Sequence, residues 1–245
     1  MNNYPRSLLI QQYKLNSNKF TKYGLNTITE AKTSNDLCQE ILSNIKNTKS
    51  MNMKKLVSLI SKHGLSFKQY CLDNMDDKIK EYNSSIFNNI ELDNYYHGFY
   101  TSFVGDFFEA FAEFFLKTFD NDTRFGVRNY EPYLNSDDYG VDGSGLCYDD
   151  TNGINPCVVQ VKFRSNLMEE IEYSMLARTC TQGVMKFGID PRNVKNCIII
   201  FSSGKGVNHI TKDVLGNSLF EINNVKINHE INNIDFWEHF SNIII

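Results

Sequence analysis

The stretch CVVQVKFRS, residues 157–165, has the apolar run of a buried strand but carries a glutamine and a lysine two positions apart. Side chains of a strand alternate between its two faces, so Val159 and Val161 lie on one face. Gln160 and Lys162 share the other face. Such a pair is compatible with the solvated face of an edge strand, where a charged Lys prevents pairing with a strand of another molecule. It is also compatible with a functional site on a central strand.

A turn-rich stretch upstream carries a candidate partner for these polar residues. In YGVDGSG, residues 139–145, Asp142 stands 18 residues before Gln160. The intervening TNGINP marks a turn, so residues 141–163 predict a β-hairpin. The hairpin would bring Asp142 beside the strand that carries Gln160, although an Asp between glycines also suits a simple turn cap.

An aromatic helix is predicted before the hairpin, in FVGDFFEAFAEFFLKTF, residues 103–119. Three of its phenylalanines fall on one side, and Glu109 and Glu113 are neighbours on the other. Glu113 has Lys117 four residues on, which favours a solvated ion pair. Glu109 has no basic residue four positions away, so a metal or a basic ligand is the favoured partner. Residues 82–98, before this helix, are expected to be a connector.

The remaining segments complete a predicted α/β domain over residues 96–245. Asn166 and Glu169 form a capping-box pattern for a helix over residues 167–180. The unbroken apolar run NCIIIFSS, residues 196–203, predicts a second buried strand. Further elements are a short helix within 211–220, a hairpin turning at Asn223-Asn224 and a terminal helix within 235–245. This order of helices and strands is typical of a mixed α/β fold.

Residues 1–95 are predicted to form a basic, mainly helical N-terminal module. Apolar residues at helical spacing predict one helix over 34–47 and a second over 51–64, which Gly64 would close. Ser66 would then cap a third helix. Helix, short turn and helix could be a DNA-reading helix-turn-helix or an ordinary small helical bundle.

Charge is unevenly distributed, although the net formal charge is only −4. Residues 1–80 contain 13 Lys and Arg against 6 Asp and Glu, whereas residues 81–155 contain 3 against 14. A basic segment suits a polyanionic partner, and a carboxylate-rich segment suits metal binding.

The sequence shows no membrane-spanning run and no signal-peptide pattern, so an intracellular protein is expected. The six cysteines lack metal-binding spacing and are expected to be free thiols.

The helix with Glu109, the hairpin with Asp142 and the strand with Gln160 and Lys162 together resemble the PD-(D/E)XK nuclease superfamily. Within it they resemble the restriction-endonuclease-like group typified by Mrr. The matching motifs are Phe108-Glu109, Gly140-Val141-Asp142-Gly143 and Gln160-Val161-Lys162. The resemblance covers about residues 103–215. It implies a restriction-endonuclease-like core, an α/β domain with a central mixed β-sheet flanked by helices, preceded here by the small helical N-terminal module.

The resemblance also implies a chemistry that these residue types can perform. Hydrolysis of a phosphodiester needs charge neutralisation and an activated water, both of which Mg²⁺ supplies, with Mn²⁺ as a substitute. Asp142, Gln160, Glu109 and the backbone carbonyl of Val161 would hold the metal. Lys162 would orient the attacking water or stabilise the developing charge.

These features predict a Mg²⁺-dependent DNA endonuclease, and the resemblance implies that its products carry a 5′-phosphate and a 3′-hydroxyl. Phosphate contacts are expected from Arg164, Ser203 and Lys205, and the partner is expected to be double-stranded DNA, bound by a monomer or a homodimer. The alternative is a catalytically silent nucleic-acid-binding or scaffold protein on the same fold.

Overall fold

The computed structural model describes residues 28–120, 122–133, 140–148 and 153–244. Within these ranges, the side chains of residues 28–33 and 242–244 are not described. Most of the first 30 residues therefore lie outside the description, as does the tip of the predicted hairpin.

Four helices precede the sheet: α1 (Ile28–Thr48), α2 (Met53–Asn74), α3 (Asp77–Ile86) and α4 (Asn89–Thr118). Asn52 caps α2 by accepting from Lys55 N at 2.9 Å, and Asp76 caps α3 in the same way. Such side-chain oxygens satisfy backbone N–H groups that have no partner in the first turn of a helix. The expected start of the first helix at residue 34 was wrong, because α1 begins at Ile28.

The helix α2 runs through Gly64 without a break, so the prediction that Gly64 ends a helix is wrong. A Cβ atom at this glycine would lie 2.6 Å from Cγ1 of Val104 and 2.8 Å from Cδ2 of Tyr100. The glycine therefore allows α2 to pack closely on α4. Ser66 is also not a cap, because its hydroxyl donates to the carbonyl of Lys62 within the same helix. With no turn at this point, these residues belong to a helical bundle and not to a helix-turn-helix.

The predicted connector over residues 82–98 is helical over most of its length. Asn88 and Glu91 form a capping box that starts α4 there, fourteen residues before the predicted start. Residues 95 and 96, between which the two domains were divided, both lie in α4. Buried side chains form one cluster that runs from Leu37 in the first helix to Phe240 near the C-terminus.

A five-stranded mixed sheet forms the centre of the fold. In their order across the sheet, its strands are β1 (Arg128–Pro132), β2 (Gly143–Tyr148), β3 (Ile154–Lys162), β5 (Ile198–Ser202) and β7 (Leu219–Ile222). The β1–β2 and β2–β3 pairs are antiparallel, whereas the β3–β5 and β5–β7 pairs are parallel. Two short parallel strands, β4 (Glu170–Ile171) and β6 (Gly206–Val207), form a second sheet. An α/β fold with a central mixed sheet and flanking helices is thus confirmed.

The strand β3 that carries Gln160 and Lys162 lies at the centre of the sheet, so the edge-strand interpretation is wrong. The predicted β2–β3 hairpin is confirmed, and β5 is buried at all five positions, as its apolar run predicted. The strand β5 pairs in parallel on both edges and is buried on both faces, which explains why it carries no polar side chain before Ser202.

The helix α4 covers one face of the sheet through its aromatic side chains. The ring of Phe108 lies 5.7 Å from that of Phe163 and 5.5 Å from that of Phe201. Because Phe201 is in register with Val161, this is the apolar face of β3 predicted from the alternation. Gln160 and Lys162 therefore face the other side of the sheet.

Two predicted elements in the C-terminal half differ from the structure. Asn166 does not cap a helix; its side chain accepts from Met168 N in a turn, and the chain then forms β4. The Asn223-Asn224 hairpin is also wrong, because Asn223 caps a helix by accepting from Val225 N. The helices of this half are α5 (Tyr173–Arg178), α6 (Val184–Lys186), α7 (His209–Leu215), α8 (Asn224–Ile231) and α9 (Ile234–Ile244), with a π-helical turn, Thr179–Gly183, between α5 and α6.

The short helix α7 and the terminal helix α9 confirm the corresponding predictions. Trp237 of α9 is buried, and its indole N–H donates to the carbonyl of Ile231 at 2.6 Å. Phe240 packs edge-on against Phe114 of α4, with ring centroids 5.0 Å apart. The C-terminal helix thus helps to bury the aromatic helix α4.

Gly64→Ala is expected to lower the free energy of unfolding by about 1–3 kcal/mol, because the new methyl group overpacks the contact with Val104 and Tyr100. Gly98→Ala is the matched control, since a Cβ there meets nothing within 4 Å and should stabilise α4 by up to about 1 kcal/mol. Urea unfolding of the two variants measures the difference. Equal stabilisation by both substitutions would contradict the close approach of α2 to α4.

Candidate functional site

The site forms where β3 extends beyond the start of β2. Gly143 is in register with Val159, and the N–H of Asp142 donates to the carbonyl of Val159 at 2.9 Å. At Val161, two residues further along β3, β2 no longer supplies a partner. The side chain of Asp142 takes its place, because its Oδ2 accepts from Val161 N at 2.6 Å. The hairpin register therefore fixes the Asp142 carboxylate beside the Gln-x-Lys segment of β3.

Gln160 is only 3% exposed and uses both ends of its amide. The amino nitrogen Nε2 donates to Asp142 Oδ2 and lies 3.4 Å from the carbonyl oxygen of Val161. The carbonyl oxygen Oε1 accepts from the hydroxyl of Thr179 at 2.8 Å. The structure thus brings together Asp142, Gln160 and Val161, three of the four predicted metal-binding residues.

Lys162 lies on the same face of β3 as Gln160, at the C-terminal end of the strand, and is half-buried. Within the described part of the chain, its amino group forms neither an ion pair nor a hydrogen bond. A partly buried ammonium with no partner among these residues is available for an anionic ligand. Lys162 therefore places a positive charge on the face of β3 that carries Gln160.

Tyr130, a buried residue of β1, lies beside Asp142. The Tyr130 hydroxyl donates to the backbone carbonyl of Asp142 at 3.3 Å. Its pKa is raised well above the usual value for tyrosine, first by burial and then by the carboxylates of Asp142, Glu113 and Glu109. Glu109 of α4 therefore belongs to the electrostatic surroundings of Tyr130, whereas Asp142 contacts this residue directly.

The predicted ion pair of Glu113 is confirmed, with Lys117 Nζ 3.0 Å from Oε1. Its predicted solvation is wrong, because Glu113 is only 1% exposed. The helix α4 buries side chains on all its sides, so the face that carries Glu113 is enclosed as well. Lys117 compensates a carboxylate that would otherwise be costly to bury.

Oxygen atoms suited to Mg²⁺ meet at one point of this site. Oδ2 of Asp142 and the carbonyl oxygen of Val161 both lie within hydrogen-bonding distance of the amino nitrogen of Gln160. If the Gln160 amide is turned by half a rotation, its oxygen joins the other two, and three hard ligands converge. The residues present therefore fit a divalent cation in that amide orientation.

No group of three or more His, Cys, Asp or Glu residues that could hold a metal occurs among the residues that the structure describes. The predicted set contains only two such residues, Asp142 and Glu109, and takes its other ligands from an amide and a backbone carbonyl. Such a set carries less negative charge than one built from carboxylates alone.

The three residues predicted to contact phosphate have different surroundings. Ser203 is fully buried, accepting from Arg164 N at 2.6 Å and donating to Arg164 O at 2.9 Å. The Arg164 guanidinium lies 2.7 Å from Glu169, whereas Lys205 is mostly exposed and pairs with Glu170 at 2.7 Å. Of the three, Lys205 is the most accessible to a ligand. A phosphate contact from Ser203 would require both hydrogen bonds of its hydroxyl with the Arg164 backbone to break.

Two residues of the site were missed in the sequence. Tyr130 lies over Gly143, where a Cβ atom would be 2.2 Å from its ring, and Thr179 contacts both Gln160 and the carbonyl of Gly140. Gly140 itself has a positive φ of 72°, a conformation that favours glycine. Gly140 and Gly143 in the sequence indicated close packing around Asp142. They could not identify the packing partners, because Thr179 and Tyr130 are distant from them in sequence.

Comparison of the chain with protein-family models, with curated proteins and with solved structures found no match. Among the helices of the described ranges, none is both long and apolar enough to cross a membrane. The six cysteines are free, as expected, and five of them are buried. Function is therefore inferred from the side chains of the site.

Asp142→Ala is expected to lower the free energy of unfolding, measured without metal, by about 1–3 kcal/mol, because the buried Gln160 amide and Val161 N–H lose their acceptor. Lys162→Met is the control on the same face and should change stability by at most about 0.5 kcal/mol, since its amino group has no partner in the described residues. Chemical denaturation in EDTA provides the comparison. Wild-type stability of Asp142→Ala would show that its carboxylate does not join the hairpin to β3.

Proposed function

We propose that this protein is a Mg²⁺-dependent endonuclease that hydrolyses phosphodiester bonds of DNA, built on a restriction-endonuclease-like core. The observation that carries the proposal is the contact of Asp142 with Gln160 and Val161, beside the ammonium of Lys162, which has no partner among the described residues. A carboxylate, two neutral oxygens and a lysine at one end of two strands are the groups that this hydrolysis requires.

The order of the elements supports the proposed core. A Glu-bearing helix, an Asp-bearing hairpin, the Gln-x-Lys strand, a helical segment and a buried apolar strand follow one another in the structure. This is the order that the resemblance to the Mrr-type group implies. The apolar strand β5 pairs with β3 in parallel, so the sheet is mixed at the position of the site.

Each residue has a role that follows from its position. Asp142, Gln160 and the carbonyl of Val161 would hold the metal, which supplies charge neutralisation and an activated water. Lys162 lies on the same face, where its amino group can orient the attacking water or stabilise charge on the phosphate. Glu109 would act on the same region from α4, and Tyr130 fixes the backbone of Asp142.

DNA is the proposed substrate because the chain combines this site with a basic N-terminal segment. Residues 1–80 carry more than twice as many Lys and Arg as Asp and Glu. Backbone phosphates would contact Lys162 and the exposed Lys205, and the affinity should fall as salt rises. The proposed substrate is double-stranded DNA, bound by a monomer or a homodimer.

The second candidate is a nucleic-acid-binding protein on the same fold that does not cleave. The observation in its favour is that Asp142, Gln160 and Thr179 satisfy one another's hydrogen bonds without a cation. Such a network would leave Lys162 as a binding residue only. The two candidate functions differ in whether the protein cleaves nucleic acid, so a cleavage assay distinguishes them.

Wild type is expected to nick or linearise supercoiled plasmid in Mg²⁺ or Mn²⁺ and to be inactive in EDTA. Lys162→Met should reduce the cleavage rate by about 10²–10⁴-fold, as expected for loss of a group that assists proton transfer. Lys212→Met, the same change at an exposed lysine of α7, is the control and should cleave at the wild-type rate. Gel analysis with end-labelled DNA measures the rate and identifies the 5′-phosphate.

Equal cleavage by wild type and Lys162→Met would contradict the proposed mechanism. Binding of duplex DNA without cleavage of plasmid, linear duplex, single-stranded DNA or RNA would favour the non-cleaving candidate. Cleavage of RNA alone would support the proposed site but would show that the substrate is RNA and not DNA.

A further inference from the structure

Two lysines, Lys162 and Lys205, lie along one edge of the sheet, at the carboxyl ends of β3 and β5. Lys162 is the last residue of β3 and is in register with Ser202, the last residue of β5. The chain that leaves β5 stays against the end of β3, because Ser203 N donates to the carbonyl of Lys162 at 3.2 Å. Lys205 follows two residues later, and 57% of its side chain is exposed. A polyanion that follows this edge can therefore contact both lysines.

Two consecutive glutamates already bind basic residues of this edge. Glu169 lies 2.7 Å from the guanidinium of Arg164, and Oε1 of Glu170 lies 2.7 Å from Nζ of Lys205. The backbone brings the second pair together, because Lys205 N donates to the carbonyl of Glu169 at 2.9 Å and β4 pairs with β6. Both cations that were predicted to contact phosphate are therefore paired with carboxylates of the same chain.

The two ion pairs differ in how firmly the basic residue is held. The side chain of Arg164 is largely buried, and its guanidinium also donates to the carbonyl of Phe163 and to the sulfur of Met175. The pair of Lys205 with Glu170 is open to solvent on both sides. Because exposed ion pairs contribute little to stability, Glu170 can leave Lys205 at small cost, whereas Arg164 stays in place.

The Glu170 carboxylate interacts with Lys205 as a phosphate would. The separation of 2.7 Å is typical of a charge-assisted hydrogen bond from an ammonium to an anionic oxygen. The hydrogen bond and the charge of Lys205 lower the pKa of the Glu170 carboxyl below its usual value, so this group is ionised at neutral pH. A phosphate that binds Lys205 must therefore replace another anion.

We infer that Glu170 occupies the position of a backbone phosphate on Lys205, and that duplex DNA binds this edge of the sheet by displacing it. The inference rests on the proposed function, since DNA is the proposed substrate. It adds that the protein carries its own competitor for one phosphate site, at the carboxyl end of β5. Glu170 lowers the affinity for DNA and takes no part in the chemistry at Asp142.

The test is a double-mutant cycle between Glu170 and Lys205, measured by fluorescence anisotropy of a labelled DNA duplex in EDTA at low salt. Glu170→Gln removes the competing charge and keeps the shape, so duplex affinity is expected to rise about threefold. Lys205→Met should lower the affinity about fivefold, through loss of one phosphate contact. In the Lys205→Met background, Glu170→Gln should change the affinity by less than about 1.5-fold, because no ion pair is left to displace.

Glu172→Gln is the matched control, because Glu172 is exposed and forms no ion pair within the part of the chain that the structure describes. It makes the same change of net charge two residues away and should alter duplex affinity by less than about 1.5-fold. Urea unfolding shows that each variant is folded.

Unchanged affinity of Glu170→Gln would overturn the inference. An equal rise in both Lys205 backgrounds, or an equal rise with Glu172→Gln, would also overturn it, because either would show an effect of net charge alone. Absence of duplex binding by wild type would overturn it as well. Plasmid cleavage in Mg²⁺ reports on the proposed function separately: cleavage would leave that function standing, whereas absence of both binding and cleavage would overturn both.

Discussion

The carboxylate of Asp142 joins the β1–β3 meander to the Gln-x-Lys end of the central strand. It accepts from the backbone of Val161 where β2 has not yet begun, and from the side chain of Gln160. The backbone N–H would otherwise have no strand partner, and the amide is buried, so both need this acceptor. The position of Lys162 relative to Asp142 follows from the same contact, because both belong to one register of the hairpin.

Burial of this polar group depends on the layers around the sheet. Helix α4 covers one face with Phe108 and its neighbours, and β5 covers the second edge of β3 with an unbroken apolar run. The other face is closed by the turn that begins at Thr179. In such surroundings an amide or carboxylate persists only if it is paired, which favours a network in which each group has a defined partner.

The sequence errors share a physical cause. Gly64 was taken as a helix end and residues 82–98 as a connector because local propensity was the only information, whereas packing of α2 on α4 stabilises helix at both places. Asn166 and Asn223 carry the same side chain and were both assigned to the wrong element. An Asn oxygen can accept from a turn or from a helix start, and the choice depends on whether the next residues pair in a strand.

The sequence by itself determined the mixed α/β class, the hairpin, the alternation of β3 and the placement of Asp142 beside the strand that carries Gln160 and Lys162, because a period of two and turn residues are local properties. Only the tertiary structure decided that β3 is central, that Glu113 is enclosed, and that Tyr130 and Thr179 support the site. These depend on contacts between residues distant in the chain, such as Thr179 with Gly140, 39 positions apart. Spacing along a sequence cannot encode which side chain closes a buried hydrogen-bond network.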